Sequence, residues 1–340
     1  MTLSNSTVTL SLKSLVLFGS ILLLNACGSP DSVQVASEQH ATTSAVSAAG
    51  KSSKPVNYHD KYTIPTDPVE RSEMIVRIMG STAEEETHAF LKFHVYGFAG
   101  DGNLIPFFSM NNYIVQKWTP KERGHYSLDH YEVAYYSEFD TEEAISEWKN
   151  PITGETVEIP HFVLGPIKRQ YTPEGIIAPG IAPNPLTMSI IGDRVFIPTQ
   201  SVDANDNPML PEEWGAYSSG PTVYWDSMLT YSANVEEAFD PNVNNAHAEI
   251  HMQNMVSWAN YMKMGQRPGR TMVRAYGQNI SGFDALPEKI RENLKTYTPD
   301  IFETDTWDTL RLDAVDFMVE LIEKKAKGEL VIESVPDPIE

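Results

Sequence analysis

Residues His88 to Ala99, HAFLKFHVYGFA, set the fold class. The stretch is dense in β-branched and aromatic side chains and carries no helical stripe, so it reads as a strand. Similar runs follow after turn-rich breaks: Asn103–Met110, Tyr113–Trp118 and Tyr131–Asp140. The clearest local signal is Ala144 to Phe162, AISEWKNPITGETVEIPHF. Pro151 fits the first corner of a type I turn, and Gly154 fits the left-handed position that closes a bulged hairpin. That hairpin places Trp148 across from Val157 or Ile159. Thr187–Thr199 reads as a second hairpin turning at Gly192-Asp193, and Pro221–Ala233 as a further strand.

Helices come late. Leu286–Tyr297 has Pro287 and a carboxylate in its first turn. Thr306–Gly328 repeats Leu310, Ala314, Phe317, Leu321 and Ile322 at helical spacing. Asp305 or Thr306 would cap it, lysines sit at its negative end and Gly328 stops it. The expected fold is mainly β, a large antiparallel sheet or calycin-like barrel with late helices, with α+β as the alternative. The last helix should pack on the sheet as a lid or buttress.

The N-terminus is read apart from the fold. An apolar run from Ser14 to Leu24 ends at Asn25-Ala26-Cys27. It is shorter than the ~20 residues of a membrane span and resembles a bacterial lipoprotein signal. Residues 1–26 are expected to be removed and Cys27 to carry lipid, stably anchored when two or more chains are attached. The absence of Asp after Cys27 points to the outer membrane. Residues 27–60 are rich in Ser, Ala and Thr and read as a disordered tether. The body then runs from Lys61 to Thr306, with 307–340 as C-terminal helix and tail.

Composition excludes some functions. The chain carries 46 acidic and 25 basic residues, a net charge of −21, so it repels nucleic acid. Cys27 is the only cysteine, which leaves a lipidated protein with no thiol for disulfides, thiolate metal sites or nucleophilic attack. There is no G-x-S-x-G elbow, P-loop or zinc-protease helix.

Two stretches in this order and spacing carry a family resemblance. They are Trp148-Lys149-Asn150-Pro151-Ile152-Thr153-Gly154-Glu155 and, from Trp258 to Arg270, WANYMKMGQRPGR; Arg274 to Gly277, RAYG, and Leu286-Pro287 follow. The pattern resembles the DUF1838 family over roughly Pro68 to Thr306. The resemblance implies one β-rich domain and no particular reaction.

Candidate site residues fall into three groups. In a strand, His247, Glu249 and His251 would share one face at about 6.5–7 Å spacing, a set able to bind Zn²⁺, Fe²⁺ or Mn²⁺. Arg194, Arg267, Arg270 and Arg274 could grip a carboxylate or pair internally. The aromatic load, 6 Trp, 15 Tyr and 13 Phe, could line an apolar cavity or fill a core. His88 and His94 share a strand face, whereas His125 and His130 near a turn are expected to be exposed.

The leading functional expectation is a lipid-anchored envelope protein binding a small apolar or aromatic carboxylate. Its pocket would use Tyr224, Trp225, Trp258, Arg267, Arg274 and His161. An enzyme on the same scaffold is the alternative, metal-assisted through His247, Glu249 and His251 or acid–base through His161. A structural envelope protein that meets a partner through its acidic surface is the third.

Overall fold

From Thr87 to Phe98 buried and half-buried residues alternate, the period of two that one covered face imposes on a strand. The computed structural model describes residues 58–100, 102–177, 185–299, 307, 311–330 and 332, without the side chains of 311–316. In it this stretch is β1, Glu85–Ala99. It is followed by β2 (Leu104–Glu122), β3 (His125–Ser137), β4 (Glu147–Lys149), β5 (Thr156–Glu158), β6 (Phe162–Thr172) and β7 (Gly175–Ile177). Then come β8 (Ser189–Ile191), β9 (Arg194–Asp206), β10 (Thr222–Asn234), β11 (Glu249–Val256), β12 (Gly269–Ile280) and β13 (Arg311–Leu312). The helices are α1 (Tyr58–Lys61), α2 (Pro68–Met79), α3 (Pro211–Trp214), α4 (Val235–Phe239), α5 (Glu288–Tyr297) and α6 (Asp313–Ala326). The apolar run, Cys27 and the expected tether up to residue 57 lie outside the described residues.

The protein is mainly β. One antiparallel sheet runs β13-β6-β3-β2-β1-β12-β11-β10-β9-β8, with β7 paired to β6. It curls into a half-barrel. Among the described residues its end strands are not paired to each other, so there it is an open sheet rather than a closed barrel. Strand β1 sits at the centre because its two neighbours, β2 and β12, bring together the early and late halves of the body. Gly277 on β12 lies where any side chain would meet the Phe90 carbonyl at 2.0 Å, which brings the two backbones close.

The two faces of the sheet are covered differently. Leu91, Phe93, Val95, Phe108, Met110, Ile114, Leu128, Ile250 and Met252 belong to the main core on the inner face. On the other face, Tyr113, Val115, Tyr131, Val133 and Tyr135 are capped by Leu286, just before α5, and by Ile290 and Leu294 on it. Both faces of β2 and β3 are therefore buried, which explains their long apolar runs. A third, small cluster of Met209, Trp214, Met318 and Leu321 holds α6 to the body.

Several expectations are met closely. The hairpin of β4 and β5 aligns Trp148 with Val157. Strands β8 and β9 turn at Gly192-Asp193, with Ile191 opposite Arg194. Others need correction. The two runs Asn103–Met110 and Tyr113–Trp118 are one strand, β2, because Asn111 and Asn112 do not break it. Their amides donate to Ser137 Oγ (3.0 Å) and Glu132 Oε2 (3.2 Å) from β3. The last helix begins at Asp313, not Thr306, since Arg311 and Leu312 pair with Gly165 and Leu164 at the sheet edge. The expected caps Asp305 and Thr306 lie outside the described residues. Pro287 is the N-cap of α5 rather than its first residue.

Helix α2 was not expected. Its start is marked by Asp67, whose side chain accepts from the Val69 and Glu70 amides at 3.0 Å each, and by Pro68 in the first position.

Candidate functional site

Strands β10 and β11 end side by side, and their ends build one wall of a cavity. Trp225 is in register with Val256, just before Ser257 and Trp258. The Ser257 hydroxyl accepts from the Tyr224 amide at 2.9 Å, and the Ser257 amide donates to the Tyr224 carbonyl at 2.9 Å. After this clasp the chain turns through Asn260–Met262 and a left-handed Lys263. Tyr136 from β3, and Pro160, His161 and Phe162 leading into β6, form the facing wall. Phe317 and Met318 on α6 close a third side. The cavity has a volume of about 230 Å³ and opens to the surface on one side.

Aromatic rings dominate this lining: Tyr136, Phe162, Tyr224, Trp225, Trp258, Tyr261 and Phe317. Among the described lining residues there is no Asp, Glu, Lys or Arg. Burial pushes the hydroxyls of Tyr136 and Tyr261 above the ordinary phenol range, so both stay protonated. Trp258 is locked in place. Its indole N–H donates to the Arg267 carbonyl at 2.9 Å, and Gly269 leaves room for its ring.

His161 is the titratable group of the wall. Its Nδ1 accepts from the Tyr136 amide at 3.3 Å, which in the neutral ring puts the proton on Nε2. Burial lowers its pKa to about 4, so it is neutral near pH 7. Its Nε2 is buried and without a partner, and so is the indole Nε1 of Trp225. The ring also packs on Tyr297 at 4.4 Å between centroids. With its Nδ1 lone pair occupied by the Tyr136 amide and its Nε2 buried, neutral His161 is not placed to act as a base toward the cavity.

Of the residues expected to bind a ligand, the structure brings Tyr224, Trp225, Trp258 and His161 together in this lining. Arg267 and Arg274 are not among them. Arg267 folds back, with Nη1 donating to the Met264 carbonyl at 2.9 Å. Arg274 is exposed on the outer face of β12 opposite His94, because strand alternation turns it away from the inner face. Arg194 pairs internally, 3.2 Å from Glu249. Arg270 lies over the Tyr224 ring.

The expected metal set is corrected. His247 precedes β11 with a left-handed backbone, φ 45°, so the alternation that would align three side chains starts only at Glu249. His247 leans toward Glu237, Glu249 pairs with Arg194, and His251 is exposed beside Tyr276. Among the described residues no group of three or more His, Cys, Asp or Glu is placed to hold a metal ion.

His130 also departs from expectation. It is 0% exposed, on the inner face of β3. The Arg169 Nη1 lies 3.4 Å from its Nδ1, and its Nε2 sits 2.7 Å from Glu132 Oε1. Asn112 donates to the other oxygen of Glu132. Burial holds the His130 pKa down against the pull of Glu132, and Arg169 lowers it further. The result is a neutral histidine between a buried arginine and a buried carboxylate. The turn-rich flank gave no sign of this, since only the pairing of β3 with β2 and β6 covers the residue.

Tyr136, Phe162, Tyr261 and Phe317, none of them expected at a binding site, also line the cavity. They come from four separate segments, and no spacing in the sequence joins them. Asn150 makes a related link: its amide donates to the Met262 carbonyl at 2.9 Å, joining the β4–β5 hairpin to the segment after β11. Those are the two stretches that carried the family resemblance. No curated protein matches the chain. A family model matches residues 85–313, more than half of the chain, and the protein belongs to that family, described as "Protein of unknown function (DUF1838)".

Proposed function

We propose that this protein is a lipid-anchored envelope protein that binds a small apolar or aromatic molecule in the cavity between Trp225, Trp258, His161 and Phe317. The observation that supports it is the cavity itself, about 230 Å³, walled by aromatic rings. An apolar cavity of ~150 Å³ stays dry and takes up benzene, so one of this size has room for a larger ring system. Rigid aromatic walls bury a ligand at small entropic cost. The anchor rests on the Ser14–Cys27 stretch, and the acidic body repels anionic surfaces and leaves the lipid to do the holding.

The test is native mass spectrometry of the full chain, extracted from the membrane fraction in mild detergent. Binding is supported by an organic adduct of small-molecule mass that is lost when Trp258→Ala opens the wall. A clean apo mass, with no uptake of aromatic probes, argues against it. Cys27→Ala should release the protein from the membrane fraction; retention there would refute the anchor.

A further inference from the structure

We infer that the outer face of the sheet around Tyr276, on β1 and β10–β12, is a binding platform for a neutral glycan, a β-linked chain of sugars lying flat on the strands. None of the residues it uses lines the cavity, and it does not rest on the binding reading above.

Strand alternation decides what this face presents. Leu229, Ile250, Met252 and Ala275 belong to the inner core, so Met228, His251, Gln253, Arg274 and Tyr276 point outward. The ladder sets the outward residues in two rows, Thr230–His251–Tyr276–Lys92 and Met228–Gln253–Arg274–His94. Tyr276 is 51% exposed and Met228 47%, although both sit in the middle of paired strands. They lie two strands apart, about 10 Å across the sheet, so the face offers apolar stations for a chain rather than for one ring.

The Tyr276 ring is oriented by its neighbours. It stacks with His94 at 5.8 Å and 22° between planes, and His94 meets Phe139 at 5.3 Å. Asp140 fixes His94, its carboxylate 3.1 Å from Nε2. Asp140 is itself held in a left-handed backbone conformation, φ 59°, where its amide donates to Ser109 Oγ at 2.8 Å.

These groups select the ligand class. The electron-rich face of an aromatic ring attracts polarised C–H bonds, which line the flat face of a β-linked pyranose. The flanking side chains suit its hydroxyls: Gln253 donates and accepts, Arg274 donates and Asp140 accepts. Charges around the ring are balanced. Lys92 lies 3.8 Å from Asp140 and Arg194 3.2 Å from Glu249, with Arg274 and Asp226 on the same face. On a chain of net charge −21, a polyanion is repelled. A purely apolar partner would strip water from Gln253 and Arg274 and leave them unmatched. A neutral, hydroxyl-rich chain with flat C–H faces meets both conditions.

The test is isothermal titration calorimetry of the full chain, in a detergent without a sugar headgroup, with cellohexaose, chitohexaose and a heparin hexasaccharide. At least one neutral hexaose should bind, and the heparin fragment should not. Tyr276→Ala should weaken the neutral chain about tenfold, Tyr276→Phe should keep it, and Arg274→Ala should weaken it about three- to tenfold. Both side chains are exposed, so an unchanged melting temperature in each variant separates loss of the site from loss of the fold. Binding of neither neutral chain, or binding that Tyr276→Ala leaves unchanged, would overturn the assignment. Preference for the heparin fragment would overturn it in favour of an anion site. A dimer seen by analytical ultracentrifugation and abolished by Tyr276→Ala would overturn it in favour of a second copy of the chain.

Discussion

The side-chain amide of Asn150 donates to the Met262 carbonyl at 2.9 Å across a sequence separation of 112 residues. The same side chain accepts from the Ile152 amide at 2.9 Å, so one buried residue closes its own turn and fastens it to the cavity segment. Asn150→Ala leaves buried backbone groups unpaired at both ends. We expect a loss of about 2–4 kcal/mol, read as a lower urea midpoint with unchanged slope. Asn150→Asp should fare little better, because its carboxylate cannot donate to Met262.

The Arg169–His130–Glu132–Asn112 chain is wholly inside the sheet. Glu132→Leu alone strands the Arg169 charge in the core and should cost about 3–5 kcal/mol. Replacing His130, Glu132 and Arg169 together by Phe, Leu and Met should cost far less than Glu132→Leu, because no charge is then left unpaired. Equilibrium denaturation of the single and triple variants tests this, and equal losses would show that the chain stabilises through its internal bonds.

Acid should destabilise the fold through its buried histidines. His161 is held at about 4 against an ordinary 6.5, and His88 and His130 are also lowered by burial. Each is neutral when folded and takes up a proton more readily when unfolded. Their contribution is therefore complete above pH 6.5 and is lost as pH falls toward 4. In His161→Phe the slope of stability against pH between 6.5 and 4 should be shallower than in the wild type, measured by thermal denaturation across that range.

Gly277→Ala should break the seam between β1 and β12. The added methyl would meet the Phe90 carbonyl at 2.0 Å and the Leu91 Cα at 2.7 Å, both backbone atoms that cannot move aside cheaply. We expect a loss of at least ~3 kcal/mol and a fall in soluble yield. Gly154→Ala meets nothing nearby, so only the strain of its φ of 76° is expected, about 1 kcal/mol.

The strands and hairpins were legible in the sequence because their signals are local. Alternation in His88–Ala99, the turn at Asn150–Gly154 and Gly192-Asp193 each depend on neighbours a few residues away. The signals of the helix at Pro68 are equally local, in its Asp67 cap and leading proline, but they are weaker than the strand pattern that follows. Helix α6 starts later than its apolar period suggests, because the pairing of Arg311-Leu312 with β6 overrides that period there.

By itself, the sequence determined the fold class, the acidic charge and the membership of four aromatic or histidine residues in a pool of candidates. Only the tertiary structure decided which of them meet. Strand alternation sent Arg274 outward, a left-handed residue removed His247 from the metal set, and β3 buried His130. The cavity lies where β3, β10, β11 and α6 converge. Its chemistry depends on which side chains face it and which polar groups the fold leaves unpaired. Those are properties of long-range packing, and no window of neighbouring residues encodes them.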